Sequence, residues 1–135
     1  MGVGRWVSGL GLIGIAVAFY VTAPVSLDPE TLVDPATDAL RIGDAERGAT
    51  VFAAAGCGSC HAAEGTDALA GGKAFVSDFG TFYAPNISTD PQHGIGRWTV
   101  YEIANAMMAG ISPDTAHYYP AFPYTTYSKM TGMDA

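Results

Sequence analysis

Cys57-Gly58-Ser59-Cys60-His61 is the stretch on which the fold turns. It uses both cysteines of a 135-residue chain and sets a histidine directly after the second. Two thiols on one turn of chain can reach the two vinyl groups of a porphyrin and form thioethers, and the next residue then projects its imidazole toward the metal. Five residues thereby supply a covalent anchor and a first axial ligand, which makes the pentapeptide the signature of c-type haem attachment. Other readings fit less well. A structural zinc site wants four ligands, and the remaining histidines, His93 and His117, lack the close spacing of a zinc pair. A thioredoxin-like redox pair belongs in a βαβ unit, and a plain disulfide leaves His61 without a role.

The flanking sequence reads as helices joined by long loops. Asp44 caps a helical pattern over Ala45 to Ala55, with Val51, Phe52 and Ala55 at a 3.6-residue period, and Gly56 ends it. A loop-rich region follows, containing Gly71-Gly72, the aromatics Phe75, Phe79, Phe82 and Tyr83, and Pro85. Thr99-Val100-Tyr101-Glu102 is a capping box that opens a helix running to about Ala109, and Gly110 stops it. Pro113, Pro120 and Pro123 then forbid regular structure up to about Tyr124. No alternating strand pattern stands out, so the sequence predicts an all-α domain.

Further out, the N-terminus is apolar. Val7 to Ala23 is a run of 17 residues without a charge, behind Arg5 and with Trp6 and Tyr20 near its ends. As a helix it spans about 26 Å, close to the roughly 30 Å of a hydrocarbon core. Residues 1–23 therefore read as a retained signal anchor, one transmembrane helix, rather than as a cleaved signal peptide. Either reading puts the rest of the chain outside the cytoplasm. Residues 24–43, with Pro24, Pro29 and Pro35 and four acids against Arg41, read as a semi-rigid acidic tether. Mostly extended, it reaches on the order of 60 Å. Residues 44–135 form the third unit.

Composition poses a problem for that unit. After residue 23 only 19 of 112 residues are Leu, Ile, Val or Phe, and 5 bases face 13 acids. Chains of that balance do not usually bury enough apolar surface to fold. A haem supplies the missing core, with Phe, Tyr, Trp and Met around it. The acidic charge, −7 over the whole chain, excludes nucleic acid as a partner, because phosphate binding needs clustered Lys and Arg.

Four further stretches carry a resemblance: Gly48-Ala49-Thr50-Val51-Phe52; Phe79-Gly80-Thr81-Phe82-Tyr83-Ala84-Pro85-Asn86-Ile87-Ser88; His93-Gly94-Ile95-Gly96-Arg97-Trp98-Thr99; and His117-Tyr118-Tyr119-Pro120-Ala121-Phe122-Pro123-Tyr124 with Tyr127 and Met130. Over roughly residues 44–131 the chain resembles the monohaem units of the membrane-bound cytochrome c subunits that accept electrons from periplasmic alcohol, aldehyde, gluconate and related dehydrogenases. The resemblance implies a small class I-like cytochrome c domain with long loops around one covalently bound haem c, held by Cys57 and Cys60 and ligated by His61. It implies that Pro85 offers its carbonyl to the free ring N–H of His61, an acceptor that would fix the tautomer and raise the basicity of the ring. Tyr83 and Trp98 become candidates for the haem propionates or its edge.

For the sixth ligand the methionines compete. Met107 and Met108 lie in a helix at core spacing and read as packing residues. Met130 follows the proline-rich loop and matches a methionine of the similar cytochromes, with Met133 and His117 as the alternatives. His/Met ligation suits an electron carrier because a thioether favours reduced iron. The similar cytochromes close with a helix that crosses the first one. This sequence ends at Ala135 without it, so Gly48 and Phe52 are expected to meet either more chain or a neighbouring subunit. The expected role is electron transfer between a membrane or periplasmic oxidoreductase complex and a downstream acceptor, in the inner membrane with the haem domain facing the periplasm. A haem enzyme or sensor with an open sixth position is the rival.

Overall fold

A computed structural model describes residues 3–29, 44–65 and 68–130, with the side chains of the first helix described from Gly9 onward. The elements in chain order are α1 (Val3–Thr22), α2 (Ala45–Ala54), α3 (Cys57–His61), β1 (Ala74–Ser77), β2 (Gly80–Tyr83), α4 (Val100–Ala109) and α5 (Tyr124–Tyr127). Most of the tether, and Met133 with the chain end, lie outside the described residues.

α2 starts where the sequence places it. The Asp44 carboxylate accepts from the backbone N–H groups of Glu46 and Arg47, both at 3.0 Å, and so satisfies two of the donors a helix start leaves without partners. α4 carries the full capping box: Glu102 N–H donates to the Thr99 hydroxyl at 3.2 Å, and Thr99 N–H donates to the Glu102 carboxylate at 2.7 Å. Gly110 ends it in the left-handed region, φ 69°. α4 also owns most of the protein core. Ala104, Asn105 and Ala106 are buried in it, and Ile111, just beyond, is the largest fully buried side chain among the described residues.

The all-α expectation needs one correction. β1 and β2 pair antiparallel, with Phe75 opposite Phe82 and Val76 opposite Thr81, and only Asp78 and Phe79 between the strands. Strand formers are present, but both faces are apolar or neutral, so no alternation marked the segment. The ribbon continues past its strands: Gly72 N–H donates to Ala84 O and Ala84 N–H to Lys73 O, both at 2.9 Å, and Ile87 N–H to Leu69 O at 2.9 Å.

The chain after α1 is fixed to the domain. Leu27 donates its N–H to Asn105 Oδ1 at 2.8 Å, and its carbonyl accepts from the Tyr101 hydroxyl at 2.6 Å. Tyr101 and Asn105 are one turn apart on one face of α4, so the two side chains take both polar groups of a single extended residue. Among the described residues, no helix is long and apolar enough to cross a membrane.

Candidate haem-binding site

The thiol turn begins at Gly56, whose left-handed conformation (φ 70°) ends α2 and redirects the chain into α3. In α3 the spacing of three puts Cys57 and Cys60 on one face, with His61 one turn from Cys57. The turn is braced by backbone and side-chain bonds. Ser59 donates its hydroxyl to Gly56 O at 2.6 Å, and Lys73 donates Nζ to Ser59 O at 2.8 Å from the base of the β-ribbon. Cys57 and Cys60 are free thiols, each half-buried. Burial pushes the Cys57 thiol above its ordinary pKa, the opposite of the depressed thiol that a redox nucleophile needs.

His61 is oriented by a separate segment. Its Nδ1 lies 2.8 Å from Pro85 O. A carbonyl can only accept, so the contact requires a proton on Nδ1, and the neutral ring then keeps its lone pair on Nε2. The ribbon brings Pro85 there. Gly71 donates its N–H to His61 O at 2.8 Å and runs against Ala84 and Pro85 so closely that a Cβ on residue 71 would overlap their backbone. Its φ of +73° is also one that side chains rarely adopt. Gly71 is therefore what lets the His61 and Pro85 segments approach.

This donor set fits a covalently held metalloporphyrin. Two half-buried thiols sit on one turn, an imidazole beside them has its tautomer fixed by a carbonyl, and its second nitrogen is free to ligate. The apolar residues around the turn do not bury one another: α2 and α3 contain no buried residue. Among the described residues, no group of three or more His, Cys, Asp or Glu side chains gathers as a metal cage.

The other candidates lie on separate segments. Tyr83 closes β2, two residues before Pro85, and is 66% exposed. Trp98 is half-buried one residue before the Thr99 cap. Met130 is half-buried and donates its N–H to Tyr127 O at 2.9 Å, while Tyr127 donates its hydroxyl to Ala55 O at 3.1 Å, just ahead of the thiol turn. His117, weighed as a sixth ligand, instead points Nε2 at Thr22 O, 3.3 Å away at the end of α1. Sequence reading missed Lys73, one basic residue among six and without a motif. It also missed Asn105, whose signal was a polar side chain inside the apolar run Ile103-Ala104-Asn105-Ala106-Met107.

Comparison with known proteins agrees with the geometry. The chain is 46% identical over 134 residues to a dihaem cytochrome c-type protein of Cereibacter sphaeroides, covering 94% of this chain and 43% of the relative. It is 40% identical over 131 residues to a nicotinate dehydrogenase subunit of Pseudomonas putida, covering 96% of this chain and 11% of the relative. It is 41% identical over 90 residues to the fructose dehydrogenase cytochrome subunit of Gluconobacter japonicus, covering 65% of this chain and 18% of that one. The chain thus spans less than half the length of each of these relatives. The cytochrome c family model matches residues 45–135, from the first residue of α2 through the thiol turn to Met130 and beyond. With two thirds of its length inside that match, the chain belongs to the cytochrome c family.

Proposed function

We propose that this chain is a single-electron carrier that serves a dehydrogenase, with one haem c within these residues. Cys57 and Cys60 would hold the group through thioethers, and His61 and Met130 would ligate its iron. The observation that carries the reading is the 2.8 Å contact of His61 Nδ1 with Pro85 O beside two thiols on the same turn. When bound, the haem supplies an iron that changes by one electron between its ferric and ferrous states. The residues do the rest. Pro85 holds the His61 proton at Nδ1 and keeps the ring basic, and Lys73 fixes the thiol turn to the ribbon that carries Pro85. Tyr83 and Trp98 are the proposed propionate or edge-packing contacts.

Dehydrogenase partners are supported by the names of the relatives, which include the cytochrome subunits of fructose and gluconate dehydrogenases. The excess of acids suits a basic docking face on such a partner and a salt-sensitive association. The α1 segment is the proposed membrane anchor, with the haem domain on the periplasmic side. Its support is the uncharged run Val7 to Ala23 in the sequence together with the exposure of Leu10, Leu12, Ile13, Ile15, Val17 and Phe19, each more than half open.

The test is to mature the full chain in a host that attaches haem c and to record its spectrum. One haem per chain and an oxidised band at about 695 nm are expected for His/Met ligation. Rapid carbon monoxide binding by the reduced wild-type protein would overturn the carrier reading in favour of an open sixth position.

A further inference from the structure

Two tyrosines three residues apart hold the segment that leads to Met130, and they hold it to different parts of the molecule. The Tyr124 ring lies over Gly110, so closely that a Cβ there would come within 2.7 Å of ring atoms. The Tyr127 hydroxyl donates to Ala55 O at 3.1 Å. Ala55 caps the C-terminal end of α2, where carbonyls have lost their helical partners. It is also two residues from Cys57. Met130 N–H closes on Tyr127 O at 2.9 Å, so the chain makes one tight turn between the two residues. The Tyr127 ring is held as well, 6.2 Å from that of Phe122. The hydroxyl is the donor of the bond to Ala55, because a carbonyl can only accept.

We infer that Tyr127 is a positioning residue for the sixth ligand: its bond to Ala55 staples the Met130 turn to the start of the thiol turn. The inference rests on the reading above that Met130 is that ligand. Only Ser128 and Lys129 separate residue 130 from the staple, and the staple joins it to the same helix end that launches Cys57. The distance between the two ligand-bearing segments is then set by one side-chain hydrogen bond rather than by the long chain between His61 and Met130.

The experiment compares wild type, Tyr127→Phe and Met130→Ala in the haem-loaded full chain. Three quantities are recorded: haem content, the oxidised band at about 695 nm as temperature rises, and the rate of carbon monoxide binding to the reduced protein. Tyr127→Phe keeps the ring and removes only the donor. It is expected to load haem normally, to lose the band at a lower temperature than wild type, and to bind carbon monoxide about fivefold faster, the shift expected from losing one neutral hydrogen bond. A structural role alone would lower the denaturation midpoint without moving the carbon monoxide rate, and that outcome overturns the staple. Met130→Ala is expected to abolish the band. If it does so while Tyr127→Phe matches wild type in band and rate, the ligand assignment stands and the staple falls. If Met130→Ala keeps the band, the ligand assignment falls, and the staple with it.

Discussion

The half of the domain that carries the thiols and the half built on α4 are made of similar residues but held by different means. α4 buries Ala104, Asn105 and Ala106 within ten residues, closes both its ends with specific caps and receives the backbone of Leu27 on one face. α2 is equally well started by Asp44, yet neither it nor α3 buries a residue. What binds the thiol half is a network of polar contacts, Lys73 to Ser59, Gly71 to His61 and His61 to Pro85. Hydrogen bonds exposed to water stabilise by only about 1 kcal/mol each. The lesson is that local helix signals do not measure how a helix is stabilised. One half is held by its own packing and caps, whereas the other is arranged to pack on its covalent group.

Removing that group is the severest way to break the comparison. Cys57→Ala with Cys60→Ala is expected to abolish covalent haem and to leave the domain largely unfolded, with any residual helical signal coming from α4. Haem staining of a denaturing gel and far-ultraviolet dichroism on heating check both halves of the statement. A cooperative melt at the wild-type temperature would show that the thiol half has a core of its own.

The next effect falls on the other half. Gly110→Ala forces a side chain into a left-handed conformation and drives its Cβ to 2.7 Å from the Tyr124 ring. The two penalties together suggest a loss of about 3 kcal/mol. Because the residue lies outside the thiol turn, haem attachment should be normal while the urea midpoint of the loaded protein drops. A midpoint within error of wild type would mean that neither the left-handed conformation nor the Tyr124 contact constrains residue 110 measurably.

How much of this could be read from the sequence follows the same division. The thiol turn, the two capped helices and the Pro85 segment are encoded by neighbours within five residues or by a motif, and local encoding is what a sequence displays. The β-ribbon was hidden because Phe75, Val76, Phe82 and Tyr83 offer no polar face against which a period of two would show. Asn105 was legible only as a misfit: its partner, Leu27, is 78 residues away and contributes backbone alone, which no side-chain pattern records. Lys73 and Tyr127 act the same way, by donating to the carbonyls of Ser59 and Ala55. Side-chain bonds to distant main chain are the part of this fold that composition and periodicity cannot reveal.

The smallest effect tests whether the α4 half really stands on its caps. Glu102 accepts from the N–H and the hydroxyl of Thr99, and these two bonds, the backbone one first, hold its carboxyl below the usual range. A carboxyl with a lowered folded pKa contributes stability that is complete above its unfolded value, about 4.3 for Glu, and is lost as the pH falls through the lowered folded value. Asp90 acts in the same direction, because the N–H groups of His93 and Gln92 donate to it. The urea midpoint of the haem-loaded chain should therefore be level from neutral pH to about pH 5 and decline in acid. Glu102→Gln keeps an acceptor for the cap but cannot titrate, so it should flatten part of that decline and leave the part due to Asp90. Thr99→Ala removes the other member of the box and is expected to cost about 1 kcal/mol at neutral pH. If Glu102→Gln declines in acid as steeply as wild type, the charge of Glu102 adds nothing measurable to the box, and the cap acts through neutral hydrogen bonds alone.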